Sequence, residues 1–215
     1  MDSKQDLLGL SPQLWWADGW PQNAVQGSIT SGFEALDQEL PARGWPCGAL
    51  SELLSNQTGI GELRLLVPVM RQLTSQQKTV MLMNPPMLPY GPTLASHGID
   101  LKHLILLKAK HVPDRLWAVE QCLRSNSLGC ILAWLPQSDL RPEVLRRLQL
   151  SAQQFEGPIF VFRPSMAQGQ VSAAPLRVLL LPRPRQRLAL RILKRRGPLH
   201  GDYLEIDLPQ PCLRR

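Results

Sequence analysis

GCILAWL, residues Gly129 to Leu135, is an almost wholly apolar run of strand length. A strand buried on both faces reads this way, without the polar alternation of a half-exposed one, and such strands lie at the centre of parallel sheets covered by helices. The neighbouring segments fit that setting. Pro158 to Phe162 is a second buried strand, and between the two Pro142 opens a helix to about Gln154, its missing N–H costing little in a first turn. Upstream, Ala49 to Leu54, Thr79 to Met83 and His103 to Leu107 read as strands. Helical patterns fall at Gly61 to Gln72, around Pro92 to His97, and from about Pro113 to Arg124. Strand-length apolar runs alternating with helical periods predict an α/β fold with a central, mostly parallel sheet flanked by helices.

The 215 residues suffice for one sizeable α/β domain. The domain is expected over 29–208, after an extended arm at 1–28 and before a short tail at 209–215. The arm carries Trp15, Trp16 and Trp20, which either cover this chain's own core or anchor a partner. Cys47, Cys122, Cys130 and Cys212 are scattered, with no paired spacing and no histidine at a ligand distance, so buried free thiols are expected rather than a disulfide framework or a metal site. No signal peptide or membrane-length apolar run is legible, which makes the expected location cytoplasmic.

Beyond Pro164 the texture changes. Ser165 to Ala174 is small, polar and expected to be flexible, and Arg177 to Leu181, Arg187 to Leu193 and Tyr203 to Leu208 read as antiparallel strands extending the sheet. The charge changes with it. Residues 1–176 hold fourteen basic and fourteen acidic side chains, whereas 177–215 hold ten basic and three acidic, so the whole net charge of +7 lies in this end. The basic C-terminal strands, 177–208, raise the odds of an anionic partner, nucleic acid first. The candidate contacts are Arg183, Arg185, Arg187, Arg191, Lys194, Arg195 and Arg196. If extended, 183, 185 and 187 would place three arginines on one face. Contact with a neighbouring protein and a solvated basic edge are the competing readings.

Three stretches carry a family resemblance: ITSGFEALDQEL from Ile29, followed by GWPCGALSELL from Gly44, and GIDLKHLILLKA from Gly98. Their order and spacing resemble the RecA recombinase core, and more closely the bacterial ImuA and SulA families built on a reduced version of it. GWPCGALSELL, GIGELRLL and ILAWLP resemble ImuA most. The resemblance implies a RecA-like core over roughly 29–208.

Such a core has three chemical stations, and this sequence departs from each. A P-loop cradles phosphate on backbone N–H groups, neutralises it with a lysine and holds magnesium with a hydroxyl. Here Asn56 stands at the first glycine, Gly59 and Gly61 lie within the loop, Glu62 replaces the lysine and Leu63 the magnesium ligand. At an effective dielectric of about 20, a unit charge at ~4 Å is worth on the order of 4 kcal/mol, and a reversal counts twice. The strand that should end in a magnesium-binding aspartate ends in Trp134, and Pro86 falls where a water-activating glutamate belongs. This is a degenerate P-loop site without the terms that speed phosphoryl transfer. The dispersed His97, His103, His111 and His200, with Asp100 and Asp139, form no substitute motif. The expectation is a protein without catalysis, cofactor or metal.

The RecA comparison also assigns two DNA-binding loops. The first shrinks here to Leu135 to Leu140, and the second, Ser165 to Ala174, has neither basic nor aromatic residues, so filament-type binding of single strands is not expected. The ImuA resemblance implies an adaptor in SOS-induced translesion DNA synthesis, working beside the Y-family polymerase relative ImuB and an error-prone DnaE-type polymerase, with RecA and DNA as further contacts. The alternative is a SulA-like division inhibitor that caps FtsZ polymerisation. A nucleotide switch without hydrolysis is the third reading, which Glu62 disfavours.

Overall fold

The computed structural model describes residues 27–135, 140–199 and 201–210. The arm with its tryptophans, most of the short loop after Trp134, His200 and Cys212 lie outside them. The elements in order are β1 (Ser28–Ile29), α1 (Glu34–Glu39), β2 (Trp45–Pro46), β3 (Leu50–Ser55), α2 (Glu62–Leu65), α3 (Val67–Ser75), β4 (Val80–Met83), α4 (Gly91–Ser96) and β5 (Leu104–Leu107). Then follow α5 (Val112–Ser125), β6 (Cys130–Trp134), α6 (Pro142–Ala152), β7 (Ile159–Pro164), β8 (Leu176–Arg183), β9 (Arg187–Lys194) and β10 (Leu204–Asp207).

Among the described residues eight strands form one sheet in the order β10-β9-β8-β3-β7-β6-β4-β5. Every neighbouring pair from β8 to β5 is parallel, and β8-β9 and β9-β10 are antiparallel. The α/β class, the mostly parallel sheet and the antiparallel C-terminal strands therefore stand. β6, the strand first read as central, is flanked by β4 and β7, and Cys130, Ile131, Leu132 and Ala133 are fully buried.

Alternation along these strands supplies two cores. Leu53, Val80, Leu82, Leu132 and Phe160 face α1 to α4, whose Leu36, Leu65, Val69 and Met70 pack on them. Ile131, Ala133, Ile159 and Val161 face the opposite way, under Val119 and Leu123 of α5 and Leu145 and Leu148 of α6. Trp45 is fully buried in the first core, its ring edge-on to Phe160 with centroids 5.1 Å apart.

Three expectations are corrected. The helix read as continuous from Gly61 to Gln72 is two, α2 and α3, parted at Leu66. Pro68 is the cause: it has no N–H for the carbonyl of Arg64 and its ring would crowd that carbonyl, so it is accommodated in the first turn of a new helix. Ser165 to Ala174 is anchored rather than flexible. It begins with a 3₁₀ turn, Ser165–Gly169, and Arg177 donates to the carbonyls of Ala167 at 2.6 Å, Gln168 at 3.3 Å and Gln170 at 3.2 Å. The stretch through Arg183, Arg185 and Arg187 is a hairpin, not an extended run. Arg185 and Gln186 both have φ of +60° at its tip, and Arg183 pairs across the ladder with Arg187.

Candidate functional site

The carboxyl ends of β3, β4, β6 and β7 open onto a cleft of about 710 Å³. Crevices at this end of a parallel sheet collect ligands because strand ends and their following loops converge there. Its walls are the loop after β3, residues Ser55 to Thr58, with Glu62 at the start of α2; Asn84 to Pro86 after β4; Lys108 to Lys110 after β5; and Trp134, Phe162 and Arg163. The structure thus brings together Asn56, Glu62, Pro86 and Trp134, four positions singled out from sequence.

The loop is shaped by two left-handed glycines, Gly59 at φ +76° and Gly61 at φ +98°. A side chain at Gly61 would meet Leu208 Cδ1 at 2.3 Å, so the end of β10 presses directly on this turn. Arg64 fastens the same contact, its Nε and Nη2 donating to the carbonyl of Pro209 at 3.0 and 2.7 Å. Leu63 is half-buried against the first core. Glu62 is buried, and its Oε1 accepts the N–H of Gly59 at 3.1 Å while Oε2 has no partner. The carboxylate therefore uses a loop N–H that an anionic ligand would need.

The rest of the wall is aromatic and amide. Trp134 lies flat on Phe162, centroids 4.2 Å apart and planes within 8°. The Oδ1 of Asn84 accepts the N–H of Ala109 at 2.8 Å, and its Nδ2 is buried without a partner. Each orphaned polar atom costs about 1–3 kcal/mol. Arg115 stiffens the facing loop by donating to the carbonyls of Ala109 at 2.9 Å and Lys110 at 3.0 Å.

The seven basic C-terminal candidates do not form one patch. Arg183 and Arg187 share the carboxylate of Glu205 at 3.2 and 2.9 Å. Arg191 lies over the ring of Tyr203 at 5.6 Å. Arg185 is exposed at the hairpin tip, and Arg196 is half-buried by the small hollow beside Pro46 and Cys47. Lys194 donates to the carbonyl of Ser172 at 2.8 Å; desolvation, with Arg177 close by, pushes its pKa below the ordinary lysine value. Arg195 pairs with Glu39 at 3.0 Å and so ties β9 to α1.

One constellation escaped the sequence reading. Glu52, at the centre of β3, is fully buried; its Oε1 accepts from Arg163 of β7 and from the hydroxyl of Ser172, and its Oε2 from Arg177 of β8, each at 2.7 Å. Strand pairing brings the three charged members together, since Glu52 lies opposite Arg177 and Leu54 opposite Arg163, and the segment between β7 and β8 adds Ser172. A lone acid in an apolar strand was the available signal.

The described histidines and cysteines carry no assembled chemistry. Among the described residues no group of three or more His, Cys, Asp or Glu side chains could hold a metal ion. Cys47, Cys122 and Cys130 are free thiols whose pKa burial pushes up, Cys130 most, which leaves them protonated and unreactive at neutral pH. His97 is buried after α4, and desolvation first, then Arg64 and Arg71, push its pKa below 6.5. The folded chain thus keeps His97 neutral where the unfolded chain takes a proton. Stability from this group is complete above pH 6.5 and falls as pH drops below it. His97→Gln is expected to flatten that acid-side fall, read as the urea midpoint at about pH 7.5 against about 5.5; an unchanged difference would assign the fall to other groups. Among the described residues no helix is long and apolar enough to cross a membrane.

No protein-family model matches the chain. It is 26% identical over 117 residues to the cell division inhibitor SulA of Serratia proteamaculans, covering 54% of this chain and 68% of that one. With SulA of Pectobacterium carotovorum it shares 26% over 147 residues, 68% of this chain and 84% of the other, and with SulA of Yersinia pestis 25% over 144 residues, 67% and 83%. The chain is therefore a distant homologue of the SulA cell division inhibitors, at 25–26% identity, and about a third of it lies outside the two longer of these matches.

Proposed function

We propose that this protein is a non-catalytic binding module of the SulA kind, which acts in the bacterial DNA-damage response by occupying a surface of a partner protein, FtsZ. The observation that carries this reading is the match to cell division inhibitors over 84% of a relative's length. It displaces the ImuA-like adaptor as the first reading, because the relatives from Serratia, Pectobacterium and Yersinia are division inhibitors.

The cleft supports the non-catalytic part. In this reading the core is RecA-like and the loop at Asn56 to Leu63 is its P-loop after loss of function. Glu62 supplies its own anion to the Gly59 N–H, Trp134 is stacked on Phe162 with no ligand oxygen to offer, and Pro86 is exposed at the wall with no base. A triphosphate seated on the loop would face a buried carboxylate at close range. Binding energy then comes from surface complementarity, with no phosphoryl transfer.

The test is polymerisation of FtsZ with GTP, followed by sedimentation. An equimolar amount of this protein is expected to cut the pelleted fraction at least about twofold, as a one-to-one capping interaction of micromolar strength would. Full pelleting at a several-fold excess would overturn the reading.

The ImuA-like adaptor stands as the second reading on a specific observation. The same 147 residues make up 84% of the Pectobacterium relative and only 68% of this chain, so the present protein is the longer. The phrases GWPCGALSELL, GIGELRLL and ILAWLP resemble ImuA. Stable co-purification with ImuB, with FtsZ unaffected, would move the assignment to it. DNA contact through the basic C-terminal residues belongs to this second reading and would appear as affinity falling steeply with salt.

A further inference from the structure

The eight-stranded sheet ends on β5, which among the described residues pairs on one side only, with β4. The carbonyl of Leu107 accepts the N–H of Asn84 at 2.8 Å, so Ile105 and Leu107 spend their backbone groups on β4 and, by the alternation of a parallel ladder, Leu104 and Leu106 direct theirs outward. The N–H of Lys108 points outward as well, being opposite the Leu107 carbonyl in its own peptide. The carbonyl of Leu101 takes the N–H of Leu104. The open edge thus presents the carbonyl of Leu104, both groups of Leu106 and the N–H of Lys108. Its side chains are as uncovered as its backbone: Ile105 is 43% and Leu106 38% exposed, on opposite faces of the strand. An apolar edge of this kind is a template for one more strand.

Charge and reach choose the occupant. From Lys102 to Lys110 the edge and its flanks hold three exposed lysines and no acid. In the register that pairs Leu106 with Leu106 of a second copy, Lys102 falls opposite Lys110 at both ends, and like charges directly opposite are destabilising. Residues 1–26 of the chain have the complementary character, with Asp2, Asp6 and Asp18 against Lys4. Within them Leu14-Trp15-Trp16-Ala17-Asp18 holds neither Gly nor Pro, carries two aromatic residues favoured in strands and ends on an acid, whereas the run Leu7 to Leu10 is weakened by Gly9. The carbonyl of Gly27 accepts the N–H of Cys47 at 3.0 Å, and Cys47 bridges to Pro158 just before β7. Counting these two pairings and the steps β7-β6-β4-β5, at about 4.8 Å each, the amino end of β5 lies about 24 Å away. Residues 18–26 span about 30 Å when extended. A hollow of about 380 Å³, shared by Ser28, Cys47, Lys78 and Thr79, opens along this way at the amino end of β4.

We propose that Leu14 to Asp18 of the same chain add to β5 as a further, antiparallel strand. The direction follows from the path: traced back from Gly27, the chain reaches β5 at its amino end with Asp18 and continues along it to Leu14. Trp16 opposite Leu106 matches the open groups, since the two exchange both bonds, the N–H of Asp18 meets the Leu104 carbonyl and the carbonyl of Leu14 takes the N–H of Lys108. Trp16 then falls on the face of Leu106 and Trp15 on that of Ile105, covering both exposed side chains, and Asp18 lies diagonal to Lys102. Tethering holds this strand beside the edge at an effective concentration of about a millimolar, ahead of an outside strand. The inference is independent of the FtsZ reading, which concerns a partner.

Hydrogen exchange on the full chain reads the edge directly, because successive amides of β5 report opposite sides. The amides of Leu106 and Lys108 are expected to exchange at least about tenfold more slowly than unstructured amides. Trp16→Pro removes a ladder N–H from the added strand and leaves the folded core untouched; both amides should lose their protection in it, while Ile105 and Leu107, bonded to β4, keep theirs. Asp18→Lys should lower the protection about two- to fivefold, and Lys102→Asp added to it should restore the loss, as an exposed ion pair re-formed with its signs exchanged. Because the strand is intramolecular, the protection is expected to be independent of protein concentration. Unprotected Leu106 and Lys108 in the unaltered chain would overturn the proposal, as would equal protection in Trp16→Pro. Protection that falls on dilution, in step with loss of a dimer mass by light scattering, would overturn it by giving the edge to a second copy.

Discussion

Glu52→Ala is expected to lower the free energy of unfolding by about 3–5 kcal/mol, because removing one member of a buried ionic cluster strands the others without compensation. Both partner guanidinium groups are all but sealed from water, Arg163 wholly and Arg177 to within 7% of its side-chain surface. Domains of this size hold only about 5–15 kcal/mol in reserve, so the variant will lie close to unfolding at 37 °C. Loss of the carboxylate also frees Ser172 and loosens Arg177, whose bonds to three carbonyls fix the segment after β7. Urea titration should therefore show the stability loss, and limited proteolysis a new cut within Ser165 to Ala174. Replacing the cluster by Glu52→Leu, Arg163→Met and Arg177→Met together separates charge from position. Apolar replacements of buried ion pairs are often neutral or stabilising by about 1–4 kcal/mol, so the triple variant should recover most of the stability and yet keep the proteolytic site open. A loss below about 1 kcal/mol in Glu52→Ala would mean that water or another acceptor already shares the load of the two arginines.

The sequence made the sheet legible and hid this cluster for the same reason. Apolar runs such as Cys130 to Trp134 and Ile159 to Phe162 show burial directly, and their short length between turn residues marks them as strands. Glu52 and Arg163 lie in comparable runs, but their partnership depends on β3 pairing with β7 and β8, strands more than a hundred residues downstream. A similar non-local cause shapes the basic end. The basic excess after residue 176 is real in composition, yet Arg195 is taken up by Glu39 and two arginines by Glu205 once the strands are in register. The cleft was legible in part. Glu62, Pro86 and Trp134 meet in it as positions counted along the chain, whereas Asn84 and Lys108 to Lys110 enter only through the spatial convergence of strand ends.

Trp45→Ala is the second large effect, expected to cost about 3–5 kcal/mol as a buried aromatic exchanged for a cavity. Trp45 has no exposed surface and pairs with Ile29 in the two-stranded ladder that joins β1 to β2, so its ring is one of the contacts, with Leu36 and the Glu39–Arg195 pair, through which residues 27–46 grip the main sheet. Trp45→Phe discriminates between ring and indole. Phenylalanine keeps an edge-on partner for Phe160 and disposes of the indole Nε1, which is buried without an acceptor, so its cost should stay near 1–2 kcal/mol despite the lost volume. Hydrogen exchange locates the effect. In Trp45→Ala the amides of Ile29 and Trp45 should exchange at lower free energy than those of Phe160 and Leu132, because the ladder can open while the parallel strands stay paired. If all four accelerate together, the opening segment is not a separate unit, and Trp45 then belongs to one cooperative core with β7 and β6. Either pattern gives the phrase GWPCGALSELL a physical meaning independent of family: its tryptophan packs on the sheet from which Glu52, two strand positions past the first residue of β3, draws its two arginines.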